Sequence, residues 1–165
     1  MPLLEAARTN GEDARVMTVL HAGGGGKVDL ADLGLRNNFT VARAASAGCS
    51  YNDCMVETLA ERHPGIAFSH AHPGWVDTGL ANASPSRVLR AAAVLLGPLA
   101  RAVATPADVC AEHLTSALLR NKDGAFLVST KGDNFPLRPE ITDAETRARV
   151  WAHSVEATRS EDKHV

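Results

Sequence analysis

Several things are scarce in this sequence, and each shortage removes a class of function. Lysine and arginine (17) nearly balance aspartate and glutamate (19), for a formal charge of −2, so there is no electrostatic reason to expect nucleic acid as a partner. Only three cysteines are present, Cys49, Cys54 and Cys110, and an odd count makes no paired disulfide framework. Cys49 and Cys54 stand five apart with no second pair nearby, so they read as small helix-packing residues and no metal site is expected. The seven histidines are scattered, with no H-x-x-x-H spacing to set two ligands on one helix face. Also missing is any run of roughly 18 to 20 apolar residues, the length that crosses a bilayer. The nearest candidate, Val88 to Ala104, carries Arg90 and Arg101 and breaks at Gly97-Pro98. It suits a helix covering a substrate pocket, with peripheral membrane contact as the alternative. The opening Met1 to Ala7 has no basic-then-apolar stretch, and together with the cysteines this makes a reducing, cytoplasmic setting the expectation.

Glycine-rich phosphate loops are lacking too. Gly23 to Gly26 precede Lys27, but His21 stands where G-x-x-x-x-G-K-[ST] needs its first glycine, and Val28 where it needs a hydroxyl. The four glycines read as a flexible surface loop.

What is present is an alternation of strands and helices. At 165 residues the chain suits one domain over residues 1–160 with a charged tail at 161–165, enough to bury roughly 70% of its unfolded surface. Ala14 to Leu20 and Ile66 to His72 are apolar runs bounded by turn formers, as buried parallel strands are. Ala125 to Val128 is a third, ending before a turn at Lys131 to Asp133. Thr40 to His63 is helical, with Ala44, Gly48, Tyr51, Met55 and Leu59 on one stripe. Thr105-Pro106-Ala107-Asp108 opens another helix, with the threonine as cap and the proline in first position. Thr142 to Glu145 reads as a capping box for a last helix through Glu156. A helix, then a strand that stops at Pro73-Gly74, is half of a parallel α/β unit, whose chemistry belongs beyond the carboxyl ends of the strands.

At that place the sequence resembles the short-chain dehydrogenase/reductase family, in particular its retinol-dehydrogenase-like branch and relatives in fungal secondary metabolism. The resemblance rests on Tyr51-Asn52-Asp53-Cys54-Met55, against the family's Y-x-x-x-K, and on Pro73, Gly74, Val76 and Thr78, which fill P-G-x-V-x-T. It implies a partial three-layer Rossmann-like fold, a parallel sheet with helices on both faces, that lacks the amino-terminal nucleotide-binding half. It also implies NAD or NADP as cofactor, bound in part by Pro73, Gly74, Val76 and Thr78, and a lipophilic small-molecule carbonyl or alcohol as substrate. Tyr51 becomes the candidate proton donor.

Two departures bear on that chemistry. Met55 replaces the lysine that would lower the pKa of the phenol, about 10 when free, and His21 aligns with the family's serine at a strand end. An imidazole can polarise a carbonyl or trade a proton, so His21 joins Tyr51 as a catalytic candidate. The competing reading is a catalytically inactive remnant that serves as a binding or assembly module. In the family topology the strand at Ala14 to Leu20 lies mid-sheet, so here it is expected to present an open edge covered by a second copy or a partner. The whole reading requires the three strands to lie side by side in one direction, and Tyr51 to face the Pro73 turn.

Overall fold

The structure is a computed structural model that describes residues 1–77 and 103–161, with side chains through Arg159. Thr78 and nearly all of Val88 to Ala104 lie outside the described residues.

The elements follow in the order α1 (Pro2–Thr9), β1 (Ala14–Val19), α2 (Val41–Arg62), β2 (Ile66–Ala71), α3 (Ala107–Arg120), β3 (Gly124–Val128), β4 (Asn134–Phe135) and α4 (Ala144–Glu161). The sheet order is β1-β2-β3-β4. β1 and β3 both run parallel to β2, with Ala14 opposite Ile66 and Ala67 opposite Gly124. The expected side-by-side parallel arrangement is therefore present. The short β4, with no counterpart in the sequence reading, turns back antiparallel so that Leu127 faces Phe135.

β2 is buried at every residue, as its place between two strands and two helical layers demands. Ile66 and Phe68 turn one face toward α2, where they meet Ala14, Val56 and Leu127, with Leu4 and Ala7 of α1 alongside. Burial of each contributes about 2 kcal/mol. On the other face Ala71 and Val128 pack against Ala117 and Leu114 of α3. Helices thus cover both faces of the partial Rossmann-like sheet.

β1 is an edge strand. Leu20 N–H bonds Ala71 C=O at 3.0 Å, so by alternation the backbone of Arg15, Met17 and Val19 points away from β2. Among the described residues none pairs with it there, and Val19 and Leu20 are exposed.

Local chemistry moves two helix starts by one residue. The backbone of Thr105 is occupied by Trp75 C=O and Asp77 N–H, in a parallel bridge with Val76, so it cannot cap. Pro106 takes the cap position of α3 without a side-chain bond. Before α4, Asp143 rather than Thr142 accepts from the N–H groups of Glu145 and Thr146, while the Thr142 hydroxyl donates to Arg138 C=O. A carboxylate outcompetes a hydroxyl as acceptor at the positive end of a helix.

Candidate functional site

A histidine inside a fully buried strand must find partners. His70 has no exposed surface, and its Nδ1 lies 2.6 Å from Asp53 Oδ1. Asp53, itself buried, also accepts the Gly23 N–H, at 3.2 Å to Oδ2. A carboxylate can only accept, so it fixes a proton on Nδ1. The His70 Nε2 is buried with no partner.

Just past the end of β2, His72 has a second buried unpartnered nitrogen, Nδ1. Its ring stacks on His21, with centroids 4.0 Å apart and planes at 21°. Burial first, and the adjacent His21 second, hold His72 below the ordinary imidazole range, with the Leu20 backbone pulling the other way. His21 itself is exposed. The cluster therefore runs from the buried Asp53 to the surface at the carboxyl ends of β1 and β2. Cys49, one turn before Asp53, is raised by burial first and by the Asp53 charge second, which keeps it a thiol.

The glycine segment, read from sequence as a surface loop rather than a phosphate cradle, has no regular structure and exposes Gly24 and Gly26, and it is tied down over this cluster by hydrogen bonds. Gly26 N–H donates to Ser46 Oγ, the Ser50 hydroxyl donates to Gly26 C=O at 2.6 Å, and Arg138 Nη1 bonds the carbonyls of Gly23 and Gly25. A Cβ on Gly25 would stand 2.1 Å from Ser50 Oγ. Glycine is needed there for close backbone approach to α2.

Tyr51 is elsewhere. Its hydroxyl donates to Leu33 C=O at 2.8 Å, and its ring meets His153 edge-on. At 3.6 residues per turn Tyr51 lies roughly 160° around α2 from both Asp53 and Cys49. It packs with Val28, Cys54, Met55 and Val150 between α2, α4 and residues 28–33. The expected stripe is thus split, because Leu59 joins the sheet core while Tyr51 and Met55 face α4. Burial first, then the charges of Asp29 and Asp32, push the Tyr51 phenol up, the opposite of what proton transfer near neutrality requires. Met55 sits in the same apolar cluster, where a lysine charge would be desolvated.

The Pro73 turn packs on the α3 side. Pro73 C=O accepts from the Cys110 thiol at 3.6 Å, Val76 bridges Thr105, and Gly74 has φ +73° with Thr130 so near that an added Cβ would come within 2.7 Å of its Cγ2. Of the sequence-predicted residues, the structure brings His21 to the strand ends beside His72, the residue before Pro73. It does not bring Tyr51 to that turn, so the condition set for Tyr51 as the catalytic proton donor is not met and that assignment is withdrawn, and Thr78 lies outside the described residues.

Asp53, His70 and His72 were missed by sequence reasoning. Their signal was available: Ser69, His70 and His72 are polar positions in a run read as buried strand, and Asp53 lies one turn after Cys49 on the same side of the helix.

The described residues do not fit a whole nicotinamide dinucleotide. A pyrophosphate cradle needs free backbone amides at a glycine turn opening a helix. Here the Gly23 and Gly26 amides are already bonded to Asp53 and Ser46. The cavity beside Tyr51, lined in part by Lys27, Asp29 and Arg43, is about 250 Å³; another, lined in part by Asp32, Arg36 and His153, is about 380 Å³, at the low end of the roughly 300 to 1,000 Å³ of small-molecule pockets, and neither is lined by the Pro73 turn. No group of three or more histidine, cysteine or acidic side chains with metal-binding geometry occurs among the described residues, and no helix among them is long and apolar enough to cross a membrane.

No family model matches the chain, and no solved structure does. It is similar to Oxidoreductase AN1596 of Emericella nidulans, 30% identical over 186 aligned positions that cover 93% of this chain and 55% of that protein. The chain thus spans about half the length of the curated relative it matches.

Proposed function

We propose that the chain contributes the carboxyl-terminal part of a short-chain-dehydrogenase-like oxidoreductase unit acting on a carbonyl or alcohol of a lipophilic small molecule, in a cytoplasmic, biosynthetic setting. The observation that carries this is the alignment of nearly the whole chain with a protein named as an oxidoreductase, on a parallel sheet whose carboxyl ends hold titratable side chains. In this reading NAD or NADP supplies the redox chemistry. The chain offers its Pro73, Gly74, Val76 and Thr78 residues to the ring end, and His21, stacked on the His72 that precedes Pro73, is the exposed proton-exchanging side chain there. The nucleotide end is held by a second copy or a partner that also covers the open edge of β1.

Titration of NADPH and NADH by fluorescence, to near-millimolar concentration, tests the reading. Saturable binding of either supports it, and binding of neither removes dehydrogenase chemistry from this chain. Sedimentation tests the covered edge: self-association, or capture of a dehydrogenase half-domain, is expected, whereas a well-behaved monomer indifferent to both counts against it.

One observation favours a second reading, a catalytically inactive binding or assembly module. The Tyr51 hydroxyl is satisfied by Leu33 and its phenol is pushed up. On this view Tyr51→Phe alters no cellular product, while Val16→Asp disrupts association. Loss of a product in a folded Tyr51→Phe variant would eliminate it.

A further inference from the structure

His21 opens a turn. Its C=O accepts the Gly24 N–H at 2.9 Å, and Gly23, third in the turn, has φ +67°, the left-handed conformation that a type II turn needs there. The turn is tied on two sides. The Gly23 N–H donates to Asp53 of α2, and the Gly23 C=O accepts from Arg138 Nη1 at 2.5 Å. Gly24 is a different case. Its φ is negative, which other residues adopt readily, yet an added Cβ would stand 2.4 Å from His21 Cγ and 2.5 Å from both its Cδ2 and its Nδ1. The nearest obstacle to a side chain at this position is therefore the His21 ring, not the backbone.

Those near-equal distances set the Cβ over the face of the imidazole rather than beside its edge. All three of its nearest atoms belong to His21 and none to His72, although the His72 ring stacks on His21 with centroids 4.0 Å apart. His72 therefore occupies the opposite face, and the His21 ring is held between the Gly24 backbone and the His72 ring. Imidazole nitrogens donate and accept in the plane of the ring. His21 is exposed, and with both faces occupied the exposure left to its ring is at the edge. We propose that Gly24 is a positioning residue for His21: its missing side chain makes the slot that clamps the imidazole against His72, so that a carbonyl or alcohol oxygen meets His21 edge-on, in the ring plane. A ring already fixed in one orientation needs no ordering when that oxygen arrives. The role given to the oxygen rests on the oxidoreductase reading above; the clamp does not.

Proton NMR of the histidine rings tests the clamp without cofactor or substrate, so its failure is distinct from a failure to bind NADPH. The wild-type chain is expected to show cross-relaxation between the His21 and His72 rings and between the His21 ring and the Gly24 α-protons. Gly24→Ala, which has room only if the ring leaves, abolishes both signals, whereas Gly26→Ala, whose Cβ meets nothing nearer than Ser46 Oγ at 3.5 Å, keeps them. A double-mutant cycle separates the ring from the fold: once His21→Ala has removed the ring, adding Gly24→Ala should leave the urea midpoint unmoved. Wild-type rings without cross-relaxation, a Gly24→Ala variant that retains it, or a Gly24→Ala cost that is the same with and without the His21 ring overturns the proposal. If Gly24→Ala alone does not fold, the double variant decides: it folds as His21→Ala does when the ring is the obstacle, and its failure to fold also overturns the proposal.

Discussion

One helix, α2, presents two opposite sides, and they differ in how their polar groups are satisfied. On the sheet side Cys49, Asp53, Val56 and Ala60 face β2 and β3, and the Asp53–His70 pair ends in a nitrogen with no protein partner. On the far side Tyr51, Cys54 and Met55 face α4, where the Tyr51 hydroxyl has an acceptor. Below them Arg147 Nη1 bonds Glu57 Oε2 at 3.0 Å and Nη2 bonds Glu61 Oε1 at 2.7 Å, clamping α4 to α2. On that side Glu57 Oε1 is buried without a partner, but its carboxylate is held through Oε2 by Arg147, and a side tied by ion pairs between two helices is built to hold a fold together. One that leaves buried nitrogens open, next to exposed rings at strand ends, is built to exchange something.

Substitutions can break that contrast, beginning with the largest effect. Asp53→Ala strips a buried carboxylate from His70 and from the Gly23 amide, and urea unfolding should show a loss of about 3 to 5 kcal/mol. Gly25→Ala drives a methyl group into Ser50 and should cost about 1 to 3 kcal/mol, whereas Gly26→Ala, with Ser46 Oγ 3.5 Å away, should be nearly silent. Equal, negligible effects would restore the flexible loop. Tyr51→Phe removes one hydrogen bond from a half-buried site and should cost about 1 kcal/mol. A loss as large as that of Asp53→Ala would erase the distinction between the two sides.

The smallest effects are pH slopes of opposite sign. Burial first raises Glu57, against the adjacent Arg147 that lowers it; the ion pair is present, but desolvation and the neighbouring carboxylates outweigh it. A raised folded pKa means the Glu57 contribution is complete below its ordinary value of 4.5 and fades as pH climbs through the folded value. His72 is depressed from 6.5, so its contribution is complete above that value and fades as pH falls through the folded one. Glu57→Gln should flatten the first slope in urea titrations and His72→Gln the second, each leaving the other in place.

The sheet and its helices were legible because a parallel strand covered on both faces is a mostly apolar run, as β1, β2 and β3 are apart from Arg15, Thr18, Ser69 and His70. The two-residue β4 was not, since it exists only because Leu127 and Val128 pair with Phe135 and Asn134 across a turn. The cap of α3 shifted because Thr105 is consumed by a contact with Val76 that lies far off in sequence. His21 was legible through family resemblance and does reach the strand ends. The Tyr51 placement was not, because a helical stripe gives relative angles on the helix but not which angle meets the sheet. Asp53 on that same helix fixes the answer through a single contact to His70.

The most direct test of where chemistry resides maps the backbone amide shifts of the chain as NADPH is added. The account predicts changes centred on His21, His72 and Gly74 to Val76, with Leu33 and Tyr51 unmoved. Changes centred on Leu33, Arg36 and Tyr51, with the strand ends silent, would contradict it.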